Sequence, residues 1–210
     1  MFREIRLGNE NSDLLIIQAS EEREEEMLKE EVRILQENGR DVFLIGVYVE
    51  EWNRDLSPWK MKAVFGKDDF GGEAEKTLAY IEENIVKKYP QKKIILGGYS
   101  LAGLFALWAG YRSSSFQGIA GVSPSVWFEG WDSFIRENEM QADHIYLSLG
   151  DREAKTRNPV MSRAQERIEM QYESLKEKKD CILQYNPGNH FVDGEKRCAR
   201  GYLWLSENLK

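Results

Sequence analysis

Short apolar runs alternate with amphipathic stretches along the whole sequence. Leu14-Leu15-Ile16-Ile17 is a continuous apolar run, the pattern of a strand covered on both faces. The segments Asp41 to Val49, Lys93 to Leu96, Ile119 to Val122, Ile145 to Leu149 and Cys181 to Tyr185 repeat it. Between them, Met27, Leu28, Val32 and Leu35 mark one face of a helix over about 20–37, closed by Asn38-Gly39. Ala74, Leu78, Ile81 and Ile85 mark a second helix, which Pro90 stops. Leu104 to Ala109 reads as a buried helix, and Trp131 to Glu137 as a short one. Met161, Ala164, Ile168, Tyr172 and Leu175 form another stripe, and Cys198, Tyr202 and Leu205 a last one over about 194–209. Two stretches break the rhythm, Glu50 to Gly72 and the polar loop Asp151 to Pro159. Parallel strands need crossover helices, so the alternation predicts an α/β fold. It is expected to be a compact, three-layer, doubly wound and mostly parallel sheet of about six strands. The 210 residues suit one domain over 1–210.

Composition changes the picture mainly by exclusion. Asp and Glu number 36 against 29 Lys and Arg, a net charge of −7, which disfavours nucleic acid and anionic membranes as partners. Met1-Phe2-Arg3-Glu4-Ile5-Arg6 is too charged for the apolar core of a signal peptide, and no later run is long enough to span a bilayer. Cys181 and Cys198 lack metal-ligand spacing and read as two free thiols, so a cytoplasmic location is expected.

The candidate chemistry centres on Gly97-Gly98-Tyr99-Ser100-Leu101-Ala102-Gly103. It joins the strand Lys93 to Leu96 to the helix that begins near Leu104. A serine on such a turn is lifted off the sheet edge beside a helix N-terminus, with small residues letting strand and helix nearly touch. There are two histidines. His144 starts a strand and so lies at the end of the sheet opposite the serine. His190, in Asn186-Pro187-Gly188-Asn189-His190-Phe191, leaves the carboxyl end of a strand on the serine's side. An acid should follow the preceding strand, and Gly150-Asp151-Arg152-Glu153 supplies Asp151 and Glu153. The order serine, acid, histidine is that of the α/β-hydrolases.

From Trp52 onward the chain resembles an esterase group of the α/β-hydrolases that includes esterase D, feruloyl esterases, enterochelin-type siderophore esterases and mycolyltransferases. The resemblance rests on Gly97 to Ala106, Ser123-Pro124-Ser125-Val126-Trp127 and Gly188-Asn189-His190-Phe191, with Trp52 to Trp59 and Asp69 to Gly72 in support. Ala102 stands where the group usually has glycine. The resemblance implies that Ser100 is the nucleophile and His190 its base. It favours Glu153 over Asp151 as the acid, because the group's acid closes a Gly-x-x-Asp turn. Leu101 would supply one oxyanion N–H, and a residue of Ala19-Ser20-Glu21 the other. Against the eight-stranded fold of the group, the chain is expected to lack the first strands and any lid domain.

Trp52, Trp59 and Trp127, together with Phe70, fall in loops on the serine's side and are candidates for substrate binding or for packing. The expected partner is a small-molecule ester, with no metal or organic cofactor, and an exposed sheet edge could support an oligomer. The leading function is hydrolysis of a carboxylic ester through an acyl-serine intermediate. An acyltransferase, a thioesterase or a non-catalytic binding protein of the same fold stays open, and a peptidase is the weakest reading.

Overall fold

The computed structural model describes residues 2–209. Its strands are β1 (Arg3–Gly8), β2 (Leu14–Ser20), β3 (Phe43–Tyr48), the short β4 (Lys60–Met61) and β5 (Phe70–Gly71), β6 (Lys93–Tyr99), β7 (Gly118–Val122), β8 (His144–Gly150) and β9 (Asp180–Asn186). The helices are α1 (Glu25–Glu37), α2 (Trp52–Asp55), α3 (Ala74–Asn84), α4 (Leu101–Arg112), α5 (Trp131–Glu137), α6 (Ala164–Leu175) and α7 (Gly194–Asn208). Seven strands form one sheet in the order β1-β3-β2-β6-β7-β8-β9, and β4 pairs with β5 separately. Every pairing within the large sheet is parallel except that of β1 with β3.

All six strands expected from the apolar runs are present. The expectation that the first strands are lacking needs correction, because β1 occupies the edge beside β3. Its signal is a period of two with charges on one face. Ile5 and Leu7 pack towards α1 and α7. On the other face Arg6 pairs with Glu4, and Glu4 accepts the Tyr80 hydroxyl. An edge strand needs only one apolar face, so it carries none of the continuous apolar run that marks the central strands.

The sheet is covered on both sides, and neighbouring strand residues choose opposite sides. Ile16, Leu44, Ile95 and Tyr146 pack with Leu28, Leu35, Tyr202 and Leu205 from α1 and α7. Leu15, Ile17, Ile45, Leu96 and Leu147 pack with residues of α3, α4, α5 and α6. Helix α4 is buried from Leu101 through Tyr111, which explains its lack of a polar face. The stretch from Glu50 to Gly72 is organised by the buried Asp55, whose carboxylate accepts the Glu50 and Glu51 amides and the Arg54 guanidinium. Asp55 and Arg54 are therefore committed to their own loop. Among the described residues, no helix is long and apolar enough to cross a membrane.

The chain runs from β2 outward to β3 and then crosses to β6 on the other side of β2. The connections leaving β2 and β6 therefore diverge, and they open a crevice at the carboxyl ends of those strands.

Candidate active site

Ser100 stands at that crevice, between β6 and α4, with φ 59° and ψ −120°. The positive φ is strained for a residue with a side chain. The turn holds because backbone bonds fix both sides of it. The Ser100 amide donates to Val122 O at 3.0 Å, and Ser100 O accepts from Ser125 N at 3.1 Å. Close approach of strand and helix explains two small residues. A Cβ on Gly98 would lie 2.7 Å from the Ala102 carbonyl carbon, and one on Gly103 would lie 2.9 Å from Gly98 O. Ala102 fits because its methyl fills the space that Gly98 leaves empty.

Three side chains from three strand ends meet in a line. Ser100 Oγ lies 3.0 Å from His190 Nε2. His190 Nδ1 lies 2.7 Å from Glu153 Oε2. An ionised carboxylate only accepts, so the proton of neutral His190 sits on Nδ1 and leaves Nε2 free to accept the serine hydroxyl. Of the two acids singled out, Glu153 contacts the ring. Asp151 is exposed and accepts the Gly188 amide at 2.8 Å, which ties down the histidine loop. His144 lies at the other end of the sheet, 2.9 Å from Asp180.

Glu153 is well provided with donors. Its Oε1 accepts the Gly150 amide at 2.7 Å, the Ser123 hydroxyl at 2.7 Å and the Arg197 guanidinium at 3.0 Å. Burial pushes its carboxyl up, but the hydrogen bond and charge of His190, then Ser123 and Gly150, outweigh burial and hold it below the ordinary value. It therefore stays ionised beside the imidazole. Tyr99, the residue before the serine, donates its hydroxyl to His190 O at 2.7 Å. Arg197 was not picked out from the sequence, and Tyr99 and Ser123 stood there only as members of motifs, with no role given to them.

Leu101 opens α4, so its amide is one of the N–H groups that a helix start leaves without an internal acceptor. On the neighbouring strand, Gln18 pairs with Gly97, and Glu21 is the first residue after β2 as Ser100 is the first after β6. The Glu21 amide is engaged, donating to Glu24 Oε2 at 3.0 Å in a capping box, and the Ser20 hydroxyl donates to the same oxygen at 3.0 Å.

Trp59 and Trp127 both meet Phe128, and of the three tryptophans only Trp127 lines a cavity among the described residues. Trp127 rests against Phe65 and Phe70 and lines a cavity of about 520 Å³ with Met61, Val64, Pro159 and Val160. Neither Ser100 nor His190 lines that cavity. Trp59 is packed among Phe128, Trp131 and Phe134, and its indole donates to Glu129 O at 2.8 Å. Trp52 is half-buried against the larger core.

No protein-family profile matches the sequence. Among curated proteins, YbbA of Bacillus subtilis (strain 168) is 26% identical over 151 residues, which are 66% of this chain. The match spans 60% of that protein's length. Solved structures agree over nearly the whole chain. An IroE-like serine hydrolase from Shewanella oneidensis has a TM-score of 0.77 at 14% identity, covering 99% of this chain and 80% of its own. The siderophore hydrolase EstA from Aspergillus nidulans has 0.74 at 17%, covering 100% and 95%. XC6422 from Xanthomonas campestris, described as an α/β serine hydrolase without a lid, has 0.60 at 13%, covering 97% and 89%. At these identities the likeness is one of fold, and with the sheet order and the turn at Ser100 it shows that this chain has the lidless α/β-hydrolase fold.

Proposed function

We propose that the protein is a serine esterase that cleaves a small carboxylic ester through an acyl-serine intermediate. The observation that carries this reading is the line from Ser100 Oγ to His190 Nε2 at 3.0 Å and on to Glu153 at 2.7 Å. His190 Nε2 accepts the Ser100 proton as Oγ attacks the ester carbonyl. Glu153, ionised and bonded to Nδ1–H, keeps the ring in the tautomer this step needs and stabilises the imidazolium that forms. The carbonyl oxygen becomes an oxyanion, and the Leu101 amide at the start of α4 is the donor nearest the serine in the chain. His190 then gives its proton to the leaving alkoxide. In the second half water attacks the acyl-serine, His190 takes the water's proton, and Ser100 recovers its own as the carboxylic acid leaves.

Nothing in this cycle calls for a metal or an organic cofactor, and the acceptor is water. The free thiols of Cys181 and Cys198 favour a reducing compartment, and we assign the protein to the cytoplasm. Proteins of similar structure that are described as esterases favour an ester over an amide substrate.

The test is hydrolysis of p-nitrophenyl acetate and butyrate by the wild type, Ser100→Ala and His190→Ala, with fluorophosphonate labelling alongside. Wild-type turnover is expected, with each substitution lowering kcat by about 10³-fold or more. Turnover that survives Ser100→Ala, or a wild type that neither turns over nor labels, would refute the reading.

A further inference from the structure

Arg197 is 1% exposed and lies in the first turn of α7, a place where a guanidinium needs a reason to be buried. Its partners come from the segments that carry Ser100, Glu153 and His190, and from the end of β7. Nη1 donates to Glu153 Oε1 at 3.0 Å, to the Tyr99 hydroxyl at 3.2 Å and to Ser123 Oγ at 3.3 Å. Nη2 donates to the carbonyls of Pro187 and Asn189, each at 3.0 Å. Tyr99, held by Arg197, in turn donates to His190 O. One planar group thus joins the end of β6, the end of β7, the turn after β8 and the loop between β9 and α7.

The division of labour between the two nitrogens is informative. Nη1 binds the carboxylate oxygen that faces away from the histidine, which leaves Oε2 for Nδ1. Nη2 fixes the main chain on the amino side of His190. The fork therefore sets the distance between the acid and the ring from both ends, which a point charge could not do. Asp151 adds a tie between the same two loops through the Gly188 amide, but it touches neither the carboxylate nor the ring.

We propose that Arg197 is a positioning residue that acts on catalysis through Glu153, by holding the carboxylate and the His190 loop in register. The inference rests on the esterase reading. Arg197 touches no reacting atom, so its loss should lower turnover at each intact site rather than affinity for the ester. A misplacement of an ångström at a supporting residue costs up to about 10²-fold.

The experiment is a double-mutant cycle of Arg197→Met and Glu153→Ala on the full-length chain, with p-nitrophenyl butyrate as substrate. The concentration of working sites is titrated with a fluorophosphonate, so that kcat is expressed per site. The expected result is a 10- to 100-fold fall in kcat per site for Arg197→Met with KM nearly unchanged, and little further loss on the Glu153→Ala background. Arg197→Lys keeps the charge but cannot span both sets of acceptors, and should fall between wild type and Arg197→Met. A purely structural role would lower the titratable fraction and leave kcat per site intact, which would overturn the inference. An equal loss on both backgrounds would also overturn it. If Arg197→Met does not fold, Arg197→Lys carries the same cycle with the same two refuting results. A wild type without Ser100-dependent turnover sinks the esterase reading, and this inference with it. A Ser100-dependent wild type beside an unimpaired Arg197→Met sinks the inference alone.

Discussion

Glu31 lies on α1 with no exposed surface, facing Gln18 of β2. Gln18 Nε2 donates to its Oε1 at 3.3 Å, and the Tyr202 hydroxyl donates to Gln18 in turn. Its Oε2 has no hydrogen-bond partner among the described residues. Burial pushes the carboxyl up to about 8, against smaller downward pulls from Gln18 and from the Cys198 thiol. The folded protein at pH 7 therefore holds Glu31 protonated, whereas the unfolded chain ionises it near its ordinary value of 4.5. Stability from this group is full below pH 4.5, where both states are protonated. It falls as pH rises, by about 1.4 kcal/mol per unit, until Glu31 itself ionises near pH 8. At pH 7, two and a half units above 4.5, the loss is about 3 kcal/mol.

Glu31→Gln keeps the shape and cannot ionise. Its amide brings N–H donors to the place where Oε2 has no partner, which costs on the order of 1–3 kcal/mol at every pH. The slope of the difference between the two proteins is therefore the diagnostic quantity, more than its value at any one pH. Urea unfolding followed by tryptophan fluorescence at pH 5, 6, 7 and 8 reads it directly. At an m-value of about 2 kcal/mol/M, the midpoint of Glu31→Gln should gain about 0.7 M on wild type with each unit of pH. A gap that stays constant from pH 5 to pH 8 would refute the burial argument.

Other outcomes follow from the site. Glu153→Gln should lower kcat for p-nitrophenyl butyrate by about 10³-fold or more, while Asp151→Asn should cost less than about 10-fold, since only Glu153 meets the ring. The reverse ranking would move the acid to Asp151. If the Glu21 amide is the second oxyanion donor, Glu24→Ala releases it and should raise kcat severalfold, with a helix-cap loss of about 0.5–2 kcal/mol seen in thermal unfolding. An unchanged kcat would remove Glu21 as the second oxyanion donor. Burial pushes the Cys181 thiol up to about 12, and pushes Cys198 well above its ordinary value. Ellman's reagent at pH 8 should therefore leave both thiols largely unreacted in the native protein and modify both in denaturant. Rapid native labelling would contradict that burial.

Much of the fold could be read from the sequence because the central strands are covered on both faces and so stand out as unbroken apolar runs. β1 escaped for the opposite reason, since Arg3, Glu4 and Arg6 need no cover at an edge. Ser100 and His190 were legible because each is tied to a strand end by the chain itself. Glu153 lies on the same short turn as Asp151, and choosing between them needed the position of the imidazole. Arg197 belongs to a different class. Its importance lies in a carboxylate, two hydroxyls and two carbonyls that four separate segments bring to it, and no local pattern encodes that meeting. The tryptophans show the converse limit. A loop position suggested substrate binding or packing for Trp52, Trp59 and Trp127, but their neighbours, which only the fold decides, differ: Trp59 and Trp127 both meet Phe128, and Trp127 alone lines the cavity.

The backbone at Ser100 has a consequence for the molecule as a whole. A φ of 59° costs a side-chain-bearing residue on the order of 1–3 kcal/mol, a sizeable share of what a domain of this kind has in reserve. Glycine would sit there without complaint, and the chain would be the sturdier for it while losing the Ser100 hydroxyl. The protein is thus held below its own stability optimum at the position of the proposed nucleophile. A screen for thermal tolerance alone should drift towards glycine at this position, and a screen for turnover should never accept it.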